Sequence, residues 1–344
     1  MRRLPGQAAA SVGVGSLCVL MASVLWGTTG TAATFAPAIG PLAIGAVAMG
    51  LGGLLQALVA APRIRSEAPA LRARRAVVLL GAGAVGAYPL AFYSSMHLAG
   101  VAAGTVVSIG SAPLASAVIE RAVDGRRLTR RWTAGAALGL TGTVLLCAAE
   151  ASQAHSAAGN RSVGTSVLGV GLGLVAGVTY ALYSWAAHRL ISGGVTSGAA
   201  MGAVFGIGGL LLLPVLAATG APLLDSWQAA GVGVYMALVP MFAGYVLFGW
   251  GLAHVPASTA TTLSLLEPAV AAVLAVLVVG ERLPPLGWLG VALVVGCLAV
   301  LTTRPRALRT PGKPATGRPA APAPQSGPAD TSPPAGATAH PSAQ

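Results

Sequence analysis

The chain has 344 residues, of which 55% are hydrophobic and 8% are charged, and its mean hydropathy is +0.78. Soluble domains carry roughly 25% charged residues, so this composition excludes a soluble globular enzyme and predicts an integral membrane protein. The net charge of +12 does not indicate a nucleic-acid partner, because the Lys and Arg residues form short runs between apolar segments and no basic patch is interleaved with aromatic side chains.

Ten apolar runs follow one another along the chain, each near the length of about 20 residues that a helical membrane crossing needs. They are continuous, unlike the alternating strands of a membrane barrel, so we predict an all-α integral membrane fold. The predicted spans are 14–35, 42–61, 76–98, 101–119, 132–149, 163–187, 196–218, 227–252, 256–279 and 286–302. Residues 304–344 are rich in Pro, Ala and Gly and are predicted to be a disordered tail.

The basic residues predict how the chain is oriented in the membrane. If residues 1–13 are cytoplasmic, every Lys and Arg except Arg161 and Arg282 falls in a segment on the inner side. Such a bias in short loops sets orientation by the positive-inside rule. We therefore expect a multi-pass protein of the cell inner (plasma) membrane with both termini cytoplasmic.

The two halves of the chain are similar to each other. Shifting residues 14–149 onto residues 163–303, across an external connector at 150–162, aligns Pro, Gly and Arg positions without gaps through the last two helices of each half. The aligned pairs include Ala102 with Ala257, Pro113 with Pro268, Gly125 with Gly280, Arg127 with Arg282 and Gly135 with Gly290. A repeat of five helices is odd-numbered, so the second copy must cross in the opposite sense, an architecture common in secondary transporters.

Two motifs carry a resemblance to a known family. Leu266-Glu267-Pro268-Ala269-Val270 is followed by Val279-Gly280-Glu281-Arg282-Leu283, and a degenerate copy runs from Ala112-Pro113-Leu114 to Asp124-Gly125-Arg126-Arg127-Leu128. With the two-times-five layout, they resemble the EamA-type members of the drug/metabolite transporter superfamily over roughly residues 15–303. The resemblance implies ten helices and the export or exchange of small metabolites, amino acids or drugs. Arg126 stands where the pattern has glutamate, and the second span lacks an arginine often found near its start.

Glu267 is the main candidate for substrate binding or proton coupling, because it is the only acidic residue well inside a predicted span. A charge there costs about 2.5–3.5 kcal/mol on insertion scales, so such residues usually face a cavity or a partner. Ala260, Ser264, Glu267 and Ala271 follow helical spacings of four, three and four, which places them on one face. A purely structural carboxyl that hydrogen-bonds a neighbouring helix, and a face that only packs, are the alternatives.

Aromatic and hydroxyl side chains inside the spans are further candidates for contact with an organic solute. The set comprises Trp26, Tyr180, Tyr183, Tyr93 and Tyr245, with Thr105 and Ser108 in the first half; Phe92 and Trp250 are also candidates. Trp132, Trp227 and Trp288 lie near span ends and are expected in the interfacial belt. Pro113 and Pro268 are predicted to kink their helices, which suits rocking bundles but also occurs in static folds.

These features predict a secondary transporter that works by alternating access, with a small-molecule solute and the lipid bilayer as partners and protons as a candidate coupling ion. The sequence leaves a homodimer open. No catalytic residue, metal or other cofactor is expected, because the three cysteines lack metal or disulfide spacing and no Ser/His/Asp set appears. A membrane-embedded enzyme and a passive channel or facilitator remain the alternatives.

Overall fold

A computed structural model describes residues 5–154, 163–280 and 282–303 of the chain. This part of the chain is helical and contains no strand. Ten of its helices are long and apolar enough to cross a membrane, which confirms the predicted fold class and span count. The predicted tail at 304–344 and most of the connector at 150–162 lie outside the described residues.

The ten spanning helices, numbered in chain order, begin and end close to the predicted positions. Their bounds are α1 Pro5–Thr34, α2 Pro41–Ser66, α3 Arg75–Ala99, α4 Val101–Asp124, α5 Arg130–Ala154, α6 Val163–Ser192, α7 Ser197–Thr219, α8 Trp227–Leu252, α9 Ala257–Val278 and α10 Pro285–Thr302. A short helix, Ala68–Ala73, joins α2 to α3. The helix α1 begins at Pro5 and not at Val14, and α4 continues to Asp124, five residues beyond its predicted end.

Three of these helices contain irregular backbone. The helices α2 and α8 contain π-helical segments at Ala46–Leu51 and Ala237–Ala243, and α9 ends in one at Ala275–Val279. The α-helical hydrogen bonding of α9 is also interrupted at Ser264 and Leu265, near the middle of the helix. Irregular backbone inside a membrane is tolerated where it is buried in protein or lines a cavity, and Ser264 and Leu265 are fully buried.

The packing of the helices follows the repeat. The helix α1 packs against α8 and α9, and α6, its counterpart five helices later, packs against α3 and α4. The pairs α2 with α7 and α5 with α10 are each formed by one helix and its own counterpart. If each helix is exchanged with its counterpart in the other half, the contacts of α1 become those of α6, and the pairs α2 with α7 and α5 with α10 stay the same. Such a pattern is what a two-fold relation between the halves produces.

The outer surface of the bundle is apolar, as expected for a protein surrounded by lipid. Leu58, Val59, Val167, Val118 and Leu210 are each more than half exposed, although they lie within spans. Together with the ten long apolar helices, this surface identifies a multi-pass membrane protein.

The tryptophans predicted for the interfacial belt divide into two groups. Trp227 and Trp288 are 94% and 49% exposed, as belt residues are. Trp132 is 7% exposed, and its indole N–H donates a 3.2 Å hydrogen bond to the carbonyl oxygen of Ser258 on α9. The expectation for Trp132 was wrong, because the side chain has a buried acceptor on a neighbouring helix that position in the sequence does not reveal.

Candidate functional site

A cavity of about 490 Å³ lies between the two halves of the bundle. It extends from Glu267 and Pro268 in the middle of α9 to Pro37 and Ile39, in the loop that joins α1 to α2. We call the end of the bundle at this loop the cavity end and the opposite end the sealed end. The volume falls within the range of small-molecule sites, so the cavity can hold an organic solute of drug or metabolite size.

Glu267 lines this cavity and also a smaller adjoining pocket of about 30 Å³. Its side chain is partly buried, and within the described residues its carboxyl has neither a hydrogen bond nor an ion pair. Among the described residues, no Lys or Arg side chain lines either space. A carboxyl group in a membrane interior without a protein partner is costly, and such groups usually serve a ligand or a proton. The geometry therefore supports the functional alternative for Glu267 over the structural one.

The interruption of α9 next to Glu267 has a local cause. Pro268 has no N–H group to donate to the carbonyl oxygen of Ser264, four residues earlier. That oxygen instead accepts a 2.9 Å hydrogen bond from the backbone N–H of Glu267, which tightens the chain into a turn of the 3₁₀ type. Pro268 thus fixes the backbone conformation from which the Glu267 side chain reaches the cavity. The helix α4 continues through Pro113 without such an interruption.

Aromatic side chains surround the carboxyl and close the cavity towards the sealed end. The ring of Trp26 lies 4.8 Å from that of Tyr245, and its indole N–H donates a 2.9 Å hydrogen bond to the carbonyl oxygen of Pro240 in the π-helical segment of α8. Tyr180 stacks on Tyr183 with ring centroids 5.2 Å apart. Electron-rich rings beside a carboxylate are a favourable environment for an organic cation.

The tyrosine hydroxyl groups in this cluster are engaged by neighbours. Tyr180 donates a 2.8 Å hydrogen bond to the hydroxyl oxygen of Ser264, and the hydroxyl groups of Tyr183 and Tyr245 lie 2.7 Å apart. These bonds join α6 to α9 and to α8 and hold the rings in place. Positions fixed in this way favour a preformed binding surface.

The structure brings some of the predicted residues to the cavity and places others behind it. Glu267, Trp26, Tyr93 and Thr105 line the large cavity, and Tyr180 and Tyr245 line the small pocket. Tyr183, Ser264 and Ser108 line neither space and are fully buried. Of the other two candidates, Phe92 lines both spaces, whereas Trp250 is 58% exposed and lines a separate groove. The predicted set is thus part cavity wall and part supporting layer.

The sequence pattern did not indicate two further buried side chains, one in the wall of the small pocket and one near the end of α4. Tyr88 lines the small pocket and stacks on Phe92 at 5.5 Å, and its spacing of four residues from Phe92 would have placed it on the same helix face. Glu120 is 2% exposed, because α4 extends beyond the predicted end at Ile119 and carries this carboxyl into the interior. Glu267 is therefore not the only buried acidic residue among the described residues.

Comparison with known proteins gives matches over most of the chain. The profile of a family described as "EamA-like transporter family" matches residues 13–148 and again residues 167–303. The chain is 35% identical over 296 residues to the "Uncharacterized transporter YwfM" of Bacillus subtilis (strain 168), a match that covers 86% of this chain and 96% of that protein.

A second relative and a solved structure agree with this match. The chain is 26% identical to a "Probable terminal-alkyne amino-acid exporter" of Streptantibioticus cattleyicolor, over 85% of this chain and 99% of that protein. A crystal structure with 22% sequence identity superimposes with a TM-score of 0.67 and covers 84% of this chain and 96% of that one. At this identity the structural likeness supports the fold alone.

Proposed function

This chain belongs to the EamA-like transporter family and is a membrane transporter, and from that premise we propose that it carries small organic solutes by alternating access. The observation that carries the proposal is the carboxyl of Glu267, which has no hydrogen-bond or ion-pair partner among the described residues and lines a cavity with aromatic side chains in its wall. A solute bound there lies between the two halves of the bundle, where a rocking movement of one half against the other changes the side of access.

The chemistry of the cavity favours solutes that carry a protonated amine. Glu267 supplies one negative charge, and no Lys or Arg of the described part of the chain lines the cavity. The rings of Trp26, Phe92 and Tyr93 supply faces for an ammonium group or an apolar moiety. Amino acids, amines and amine-bearing drugs share this group. The relative from Streptantibioticus cattleyicolor, named a probable terminal-alkyne amino-acid exporter, is in keeping with this class and with export as the direction.

Proton coupling follows from the same carboxyl group. When Glu267 is ionised it binds the cationic solute, and when it is protonated the solute leaves a neutral site. Exchange of a solute cation for a proton at one carboxyl keeps the charge inside the membrane constant, which avoids the cost of an unpaired charge during the conformational change. The carrier is then an exchanger of proton against solute.

The proposal includes the arrangement of the chain in the membrane. Residues 14–149 and 163–303 form two inverted repeats in the plasma membrane, with both termini cytoplasmic. The exchange of helix pairs between the halves and the distribution of Lys and Arg support this arrangement. In this orientation the cavity end faces outward and the sealed end faces the cytoplasm.

Counterflow in proteoliposomes tests the transport mechanism. Vesicles that contain the purified protein are loaded with an unlabelled amine or amino acid, and entry of the labelled compound is followed against empty vesicles. We expect transient, saturable accumulation of at least one compound above its equilibrium level. A passive channel equilibrates the label without such an overshoot, so equilibration alone would reject the alternating-access carrier in favour of the channel.

A further inference from the structure

The large cavity is lined by only one half of α4 and one half of α9, and the residues that the repeat aligns with this lining lie elsewhere. Its wall includes Thr105 from the first half of α4 and Glu267 and Ala271 from the second half of α9. In the alignment of the two halves, Thr105 corresponds to Ala260, and Ala271 corresponds to Ser116. These counterparts lie on the first half of α9 and the second half of α4, towards the sealed end.

These two half-helices form a closed but polar contact, which we call the α4–α9 seam. Its hydroxyl side chains are Ser116 on α4 and Ser258, Thr261 and Ser264 on α9, and each is at most 4% exposed. The hydroxyl group of Thr261 donates a 3.2 Å hydrogen bond to that of Ser116. Serine and threonine are among the small residues that let two helices approach closely in a membrane, so these hydroxyl groups pack the seam while it is closed and can hydrogen-bond a solute when it opens.

The seam runs from the binding region to the sealed end. At the end of the seam nearest Glu267, Ser264 accepts a hydrogen bond from the hydroxyl group of Tyr180. Tyr180 and Glu267 both line the small pocket. One helical turn from Tyr180 on the same face of α6, the hydroxyl group of Ser184 is buried without a hydrogen-bond partner in the described part of the chain. A buried polar atom without a partner calls for an explanation, and exposure in a second conformation of the protein provides one.

Glu120 lies at the end of the seam that is nearest the sealed end of the bundle. Its carboxylate accepts a 2.6 Å hydrogen bond from the hydroxyl group of Ser258 and a 3.2 Å bond from the backbone N–H of the same residue. It is 2% exposed and forms no ion pair with any described residue. A carboxylate is favourable at a helix N-terminus, and because this one comes from α4, the first turn of α9 is tied to α4 by a contact that breaks when the two helices separate.

We propose that the α4–α9 seam is the access path of the opposite state, and that Glu120 binds the protonated amine of the solute when the protein opens at the sealed end. The proposal rests on the transport function proposed above. In the present conformation the carboxylate of Glu120 is engaged by hydrogen bonds from Ser258. Separation of α9 from α4 frees the carboxylate and exposes the hydroxyl groups of Ser116 and Thr261, which lead the solute to Glu267.

Contacts between the two halves keep the sealed end closed in this conformation. Asp124 on α4 forms an ion pair with Arg189 on α6 and accepts a 2.8 Å hydrogen bond from the indole N–H of Trp185. The connection between α2 and α3 contributes Glu67, which binds the backbone and hydroxyl of Thr196 at 2.8 and 2.7 Å. The Asp124–Arg189 ion pair and the Glu67–Thr196 hydrogen bonds lie at the surface, where such contacts are individually weak and can break when the halves move, whereas Trp185 is 6% exposed.

Thiol labelling from either side tests the path without any substrate. In a full-length chain with Cys18, Cys147 and Cys297 replaced by Ser, A33C places a reporter in the cavity and S116C places one in the seam. We expect a membrane-impermeant thiol reagent to modify A33C from one face of the vesicles and S116C from the other face. Modification of S116C from the same face as A33C, or from neither face, would overturn the path.

Transport kinetics test the role of Glu120. The variant E120Q removes the charged partner of the solute ammonium group at the sealed end. It should therefore raise the KM for the amine at the sealed face about tenfold to a hundredfold and leave the KM at the cavity face unchanged. The variant S258A is the control, because it removes the hydroxyl donor and keeps the carboxylate, so its KM should not rise at either face. An equal rise of KM at both faces in E120Q, or none, would reject Glu120 as a binding residue.

The two experiments separate this proposal from the function on which it depends. If the wild-type protein shows no counterflow with any compound, the proposed transport function fails, whereas the labelling pattern still decides whether the seam opens. If counterflow is present and S116C reacts from the wrong face, the transport function stands and the path is rejected.

Discussion

Two glycines set the distance between α5 and α10, and replacing one of them by alanine should destabilise the bundle. A β-carbon at Gly290 would lie 2.7 Å from the carbonyl oxygen of Gly142 and 2.9 Å from the backbone nitrogen of Leu146. Ordinary van der Waals contacts of a β-carbon begin at 3.4 Å, so the two backbones would have to separate by roughly 0.7 Å. The clash is reciprocal, because a β-carbon at Gly142 would lie 2.7 Å from the carbonyl oxygen of Gly290.

Overpacking of this kind costs about 1–3 kcal/mol, because the obstacle is backbone and cannot move to another rotamer. Gly296 on the same helix provides a matched control, since a β-carbon there would have no atom within 4 Å. We expect G290A to lower the free energy of unfolding by about 1–3 kcal/mol and G296A to change it by less than about 0.5 kcal/mol.

Unfolding in mixed detergent micelles, followed by circular dichroism as the SDS fraction is raised, measures both variants and the pair G142A/G290A. Once the helices have moved apart to accommodate the first methyl group, the second methyl group needs less further movement. The double variant should therefore lose less unfolding free energy than the sum of the two single losses. If G290A is as stable as G296A, the close approach of α5 and α10 at these glycines is incorrect.

Two further substitutions separate the binding surface from its surroundings. Trp26→Phe leaves the carbonyl oxygen of Pro240 without its 2.9 Å donor, so we expect a loss of about 1–3 kcal/mol in unfolding free energy and a higher KM in counterflow. Trp250→Phe, at a side chain that is 58% exposed and outside the cavity, should change neither quantity. Pro268→Ala gives the carbonyl oxygen of Ser264 its normal helical donor, so α9 should straighten. We expect undiminished stability in the same unfolding titration. The initial rate of counterflow should fall by roughly tenfold.

The fold was largely predictable from the sequence, because the membrane allows few solutions. A continuous apolar run of about 20 residues must be helical to satisfy its backbone groups in lipid, so ten runs predict ten helices. Helix ends were less certain, since a helix can continue into the interfacial region with polar residues. The three charged residues between Ile119 and the end of α4, Glu120, Arg121 and Asp124, hid the extension that buries Glu120.

The candidate site was predictable only in part. A lone acidic residue in the middle of a span identified Glu267, because the cost of a buried charge is a property of the residue and its depth. The partners of a side chain depend on how helices pack, and no spacing rule reveals them. Ser264 and Ser108 share helix faces with cavity residues, but Ser264 is covered by Tyr180 and Ser108 is fully buried.

The conformation of the bundle could not be predicted from the repeat. The repeat places Ala112 opposite Glu267, and it does not show which of the two ends of the bundle is open. That difference arises from the conformation, in which the first half of α4 lines a cavity and its counterpart on α9 is packed.

Solute-induced proton movement in proteoliposomes, recorded with a pH-sensitive dye for the wild type, E267Q and D225N, tests the central role of Glu267 most directly. Asp225 lies in the exposed connection between α7 and α8, so D225N makes the same chemical change outside the cavity. The proposed exchange of solute for proton predicts a signal that is lost in E267Q and retained in D225N. Equal signals from E267Q and the wild type would contradict it.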